Sequence, residues 1–79
     1  MLKQPTEVRP GQIYKDLDIR SKTDEFTVLR LETHALHGQK TTYAICARGE
    51  KTTRVRVERL LAGPAKSGDR GYQYVGMKR

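Results

Sequence analysis

Seventy-nine residues leave room for one hydrophobic core, and their 35% hydrophobic fraction comes in short runs that provide no membrane-spanning helix. A single cysteine, Cys46, excludes an internal disulfide and cannot build a zinc site alone. The net charge of +7 is uneven, with nine basic and three acidic residues falling in positions 48–79, which favours a polyanionic partner through counterion release.

A chain of this size buries only about 60–65% of its unfolded surface, so a stability of a few kcal/mol is expected. The opening "MLKQPTEVRP" has no apolar core of a secretory signal, and the cysteine usage suits a reducing compartment. A cytoplasmic location, in a bacterium or an infected host cell, is the expectation.

Pro5 and Pro10-Gly11 mark residues 1–10 as an extended lead-in, with the single domain running over 11–79. "QIYKD" (12–16) predicts the first strand and "DIRSKTDE" (18–25) a polar loop. "FTVLRLETH" (26–34) predicts a second strand whose phase slips: Phe26 and Val28 share one face, Leu29 and Leu31 the other. That slip fits a bulge, or a bent strand that touches the core with both faces.

"HGQK" (37–40) predicts a turn, with Gly38 free to take positive φ. "TTYAICAR" (41–48) is the third strand, with Cys46 as a small core hydrophobe, and "GEK" (49–51) is a tight connection. "TTRVRV" (52–57) carries the clearest period-two signal: Thr53, Val55 and Val57 point one way, Thr52, Arg54, Arg56 and Glu58 the other. In "ERLLAG" the period breaks, and one helical or 3₁₀ turn carries Leu60 and Leu61 into the core. "PAKSGDRG" (64–71) is a loop, and "YQYVGM" (72–77) is the closing strand.

Five short strands with one turn of helix before the last predict an all-β, small five-stranded SH3-like barrel. An open OB-like barrel is the alternative, although it usually has a longer helix between strands.

The spacing Val8-x-Pro10-Gly11-Gln12-x-Tyr14-x-Asp16-x-Asp18-x-Arg20, followed by Arg54-Val55-x-Val57-x-x-Leu60 and Gly71-Tyr72-x-x-Val75, resembles a group of small bacteriophage and bacterial proteins. That resemblance spans about four-fifths of the chain and implies a β-rich domain encoded by a phage or mobile element, with no activity to carry over. "GQIYKDLD" also looks like the opening of the MazF/PemK ribonuclease toxins, which share an SH3-like barrel. Here only Lys15 separates Tyr14 from Asp16 where the toxins have two residues, and one residue reverses side-chain facing in a strand. The toxins' catalytic Arg-Pro is missing from "DEFTVLRLE". Shared fold without shared catalysis is the expectation, since fold kinship alone does not license an activity.

Arg54 and Arg56 lie two residues apart, about 6.6 Å along a strand, and project from one face as a forked pair of donors. Arg48, Lys51 and Arg59 adjoin them through the hairpin and the following turn, and Tyr43 across the hairpin adds an aromatic surface. Such a group can hold phosphates and stack a base. The same residues also read as a solvated strand face, its charge partly paired by Glu50 and Glu58. Tyr72 and Tyr74 share a face and form either an aromatic platform or half-buried lids on the core.

Asp16 and Asp18 fit a strand end paired to Arg20 or Lys22, or a loop cap, better than a metal site with Asp24 and Glu25. His34 and His37 lack the further ligands zinc requires. The expected protein is a non-enzymatic binding module with no cofactor, monomeric or weakly dimeric. Its expected partner is nucleic acid or, alternatively, an acidic host-protein surface of the kind that host-takeover and anti-defence proteins bind. A toxin-like ribonuclease is the third reading.

Overall fold

The computed structural model describes residues 4–18, 20, 25–66 and 70–78. Five antiparallel strands, β1 (Gln12–Asp16), β2 (Glu25–Leu36), β3 (Gln39–Arg48), β4 (Lys51–Arg56) and β5 (Tyr72–Met77), form one sheet in the order β4-β3-β2-β1-β5. A short helix, α1 (Val57–Ala62), precedes β5 and packs against β3, β4 and β5. The architecture is the all-β SH3-like one with the sheet left unclosed, since β4 and β5 stay its two edges.

Turn chemistry sets the strand lengths. His37 and Gly38 both adopt positive φ, 52° and 79°, as a two-residue type I′ turn requires. The expected four-residue turn at 37–40 is therefore shorter, and the ladder runs out to Leu36 opposite Gln39. Gly49, also at positive φ, opens the second two-residue turn and puts Lys51 opposite Arg48 as the first residue of β4.

The phase slip in β2 is a bulge. The β2–β3 register shifts between Val28 and Arg30, so Leu29 is the extra residue. Phe26 and Val28 enter the core before it, whereas Leu29 and Leu31 stay exposed at 44% and 40%. Beyond the bulge the facing is exchanged: Leu31 lies opposite the core residue Ala44, yet it stays too exposed to join the cluster.

Val57 also departs from the expected alternation. It is the first residue of α1, although it still packs against the core beside Leu61. Leu60 is fully buried, and Gly63 ends the helix at φ 74°. Residues 4–10 lie against this body: Val8 belongs to the core, and the Gln4 amide donates to the Leu60 carbonyl at 3.1 Å.

The inward face of β1 is polar at both ends. Gln12, Tyr14 and Asp16 are all buried, while Ile13 and Lys15 between them are only partly covered. Each buried polar group has partners, as its desolvation demands. The Tyr14 hydroxyl donates to Gln12 Oε1 at 2.8 Å, which also accepts the Arg9 amide at 2.9 Å, and Gln12 Nε2 donates to the Glu7 carbonyl. The Tyr14 ring stacks on Phe26 and meets Tyr74 edge-on, with centroids 6.1 and 5.6 Å apart. Cys46 packs in the same core, and burial pushes its thiol up to about 11.

Burial, followed by the neighbouring Tyr74 and Cys46, pushes the Tyr14 hydroxyl from 10.0 up to about 12. The unfolded chain releases this proton near pH 10.0 while the fold holds it to about pH 12, so the contribution is intact below pH 10 and is lost as pH rises between the two. Two units correspond to about 2–3 kcal/mol. Tyr14→Phe is expected to cost about 1 kcal/mol at neutral pH, because Gln12 keeps its other partners. It should also remove roughly half of the alkaline loss when urea unfolding is followed upward from neutral pH, because the Cys46 thiol, raised from 9.0 to about 11, supplies a loss of similar size that the variant keeps. Parallel alkaline losses in the two proteins would contradict this assignment.

Candidate functional site

Strand alternation and the β2–β3–β4 register gather one group of side chains on the outer face of the sheet. Tyr43 lies opposite Arg56 on β4 and Glu32 on β2, while Ile45 lies opposite Arg54 and Arg30. The Arg54 guanidinium carbon sits over the Tyr43 ring, 4.6 Å from its centroid, and His34 meets the same ring edge-on at 5.7 Å. Ile45 is 9% exposed yet outside the main core cluster, an apolar floor directly between the two arginine positions.

The charges on this face are partly matched. Glu32 accepts from Arg30 Nε at 2.9 Å and contacts His34 Nε2 at 3.3 Å. These hydrogen bonds, that of Arg30 first, hold its carboxyl below the usual range. Arg56 approaches Glu58 only at 3.9 Å with both side chains mostly exposed, a pairing of little energetic worth. Arg54 has no carboxylate partner among the described residues. The resulting chemistry is two adjacent arginine donors, one already laid across an aromatic ring, above an apolar floor.

Not every expected residue joins this group. Arg48 takes the opposite facing, inward. Its Nη2 donates to Asp16 Oδ2 at 3.1 Å, and its guanidinium carbon lies 5.2 Å from the Phe26 ring centroid. Its Nε is buried with no hydrogen-bond partner among the described residues. Arg48 thus ties β3 to β1 and takes the ion-pair place expected for Arg20 or Lys22, while the expected loop cap is present, Asp16 Oδ1 accepting the Asp18 amide at 3.0 Å. Asp18 does pair with Arg20, at 3.0 Å, while Lys22 and Asp24 lie outside the described residues. Lys51 is exposed at the far end of the hairpin, five positions or roughly 16 Å of strand from Arg56.

Arg59, on α1, and Tyr72 sit with Tyr43, Arg54 and Arg56 around one concavity of about 360 Å³ at the β4 edge. Tyr72 and Tyr74 are half-buried lids: Tyr72 meets Phe26 edge-on at 5.6 Å, and Tyr74 meets Tyr14. Burial, then the charge of Asp16, raises the Tyr72 hydroxyl. His37 occupies the hairpin turn, away from His34 on its strand. Among the described residues no three His, Cys, Asp or Glu side chains gather as metal ligands, and no helix is long and apolar enough to cross a membrane.

Sequence reasoning missed Arg30, Glu32 and His34 as neighbours of Tyr43. Their alternate spacing was the available signal, obscured because the bulge at Leu29 hides which face they share with β4.

The contrasting roles of Arg48 and Arg54 can be measured. Arg48→Met keeps an apolar stem on Phe26 but leaves the buried Asp16 carboxylate without its cation, so a loss of about 1–3 kcal/mol is expected in urea unfolding. Arg54→Met removes one exposed cation–π contact and should cost less than about 1 kcal/mol. Equal losses would contradict the division into an inward and an outward arginine. Compared with protein-family models, curated proteins and solved structures, the chain matches none.

Proposed function

We propose that this chain is a non-enzymatic binding module whose basic outer face contacts nucleic acid with little sequence readout. The observation that carries the reading is the Arg54 guanidinium held over Tyr43, with Arg56 opposite that ring on the next strand. Guanidinium groups bind phosphate through paired donors, and a base can stack on an aromatic ring or on the guanidinium plane. Concentration of the net charge in residues 48–79 supplies the long-range attraction. Contacts of this kind go mainly to the backbone, which fixes position without selecting sequence. The resemblance to small phage and bacterial proteins makes a phage or mobile-element origin the matching expectation.

The double variant Arg54→Glu/Arg56→Glu tests this face. Wild-type protein should bind a generic oligonucleotide with a steep salt dependence. The variant should bind at least about tenfold more weakly, its salt slope reduced by about two. Unchanged affinity in the folded variant would reject the face. Stoichiometric recovery of one host protein from nuclease-treated lysate, with no oligonucleotide binding, would replace nucleic acid with an acidic protein surface as the partner. Discrete cleavage of an RNA probe in the same assay would replace the binding reading with an enzymatic one.

A further inference from the structure

Beyond the outer face, the end of the body holds a groove of about 590 Å³ lined by Arg20, Arg59, Arg70 and Tyr72 together with Asp16 and Asp18. Both carboxylates are already engaged, Asp16 by Arg48 and Asp18 by Arg20. Arg59 and Arg70 are exposed and have no ion pair among the described residues.

The groove wall is fixed by backbone. Leu17 N donates to the Gly71 carbonyl at 3.1 Å, Ala65 N to the Arg70 carbonyl at 3.0 Å, and Pro64 bridges Gly71. Gly71 stands at φ 92°, and a Cβ there would lie 2.7 Å from the Gly63 carbonyl oxygen, so only glycine allows the two segments to approach. Arg70 is therefore carried on a braced segment.

This groove is continuous with the outer face. It shares Arg59 and Tyr72 with the smaller concavity at the β4 edge, which in turn shares Tyr43, Arg54 and Arg56 with a third concavity of about 580 Å³ beside His34. The path leads from the outer face, around the edge of β4 and across α1, to the end of the body. Arginines recur along it, and Tyr43 and Tyr72 are half-buried beside them.

We infer that this path is the track of one single strand of nucleic acid, with Arg59 and Arg70 holding phosphates in the groove while Tyr43 and Arg54 take a base on the outer face. The inference rests on the nucleic-acid reading above. A duplex has a persistence length of about 50 nm and does not bend around a body measuring 36 × 28 × 25 Å. A single strand does, and alternating guanidinium and aromatic groups are the usual means of holding one. A path that runs from the outer face to the far groove of such a body needs more than the shortest of the roughly 4–16 nucleotides typical of small β-barrel modules.

The test is fluorescence anisotropy with labelled oligothymidylates of about 4 and about 12 nucleotides and a duplex of the longer length, using wild type and Arg59→Ala/Arg70→Ala. Wild type should bind the long single strand at least about tenfold more tightly than the short one or the duplex. The variant, whose substitutions are exposed, should lose most of that length advantage, with a salt slope smaller by about two. If wild type binds but the variant matches it in affinity and slope, the groove is no part of the path. Equal binding of duplex and single strand would likewise reject the track while leaving the basic-face reading intact. Failure of wild type to bind any of the three probes would overturn both.

Discussion

Side-chain alternation along the β3–β4 hairpin is the constraint on which the rest of the molecule depends. Gly49 closes that hairpin in two residues and sets Tyr43 opposite Arg56, Ile45 opposite Arg54 and Arg48 opposite Lys51. Ala44, Cys46 and Val55 consequently enter the core, and Tyr43, Arg54 and Arg56 face out together. A slip of one residue would exchange the two sets, exposing the core and burying uncompensated guanidinium groups. The hydrophobic effect therefore fixes the site as firmly as it fixes the fold.

Within that frame the same residue type does two kinds of work. Arg48, inward, is held by Asp16 and by the Phe26 ring, and its partners are spent on joining β3 to β1. Arg54, outward, is positioned by Tyr43 and keeps its hydrogen-bonding edge available. Glu32 neutralises Arg30 and orients His34 without reaching Arg54. Electrostatic potential on the outer face is thus set by which cations have local carboxylates, more than by how many cations are present.

Much of this was legible in residue pattern. The Arg-Val-Arg-Val alternation, Gly38 and Gly49, and the Leu60-Leu61 break specified the hairpins and the short helix, because each is a local effect. The β1 interior was not legible: Ile13 is the aliphatic residue there, yet Gln12, Tyr14 and Asp16 are the buried ones. Their burial depends on the remote or looped partners Arg48, Arg9 and Glu7, which no spacing within β1 announces. Sequence proximity alone groups Arg48 with Arg54, for the same reason. The groove with Arg20 and Arg70 is assembled from α1 and two separate connections, after β1 and before β5, and leaves no periodic trace.

We propose that the outward arginines with Tyr43, and not the basic hairpin as a whole, form the binding surface. Chemical-shift mapping by two-dimensional NMR, with a single-stranded oligonucleotide titrated into labelled protein, tests it most directly. Tyr43, Arg54 and Arg56 should show the largest changes, including the Arg54 side-chain Nε–H resonance, while Arg48 and Lys51 stay near their free positions. Largest changes at Arg48, Lys51 and the Gly49 turn, with Tyr43 unmoved, would contradict it.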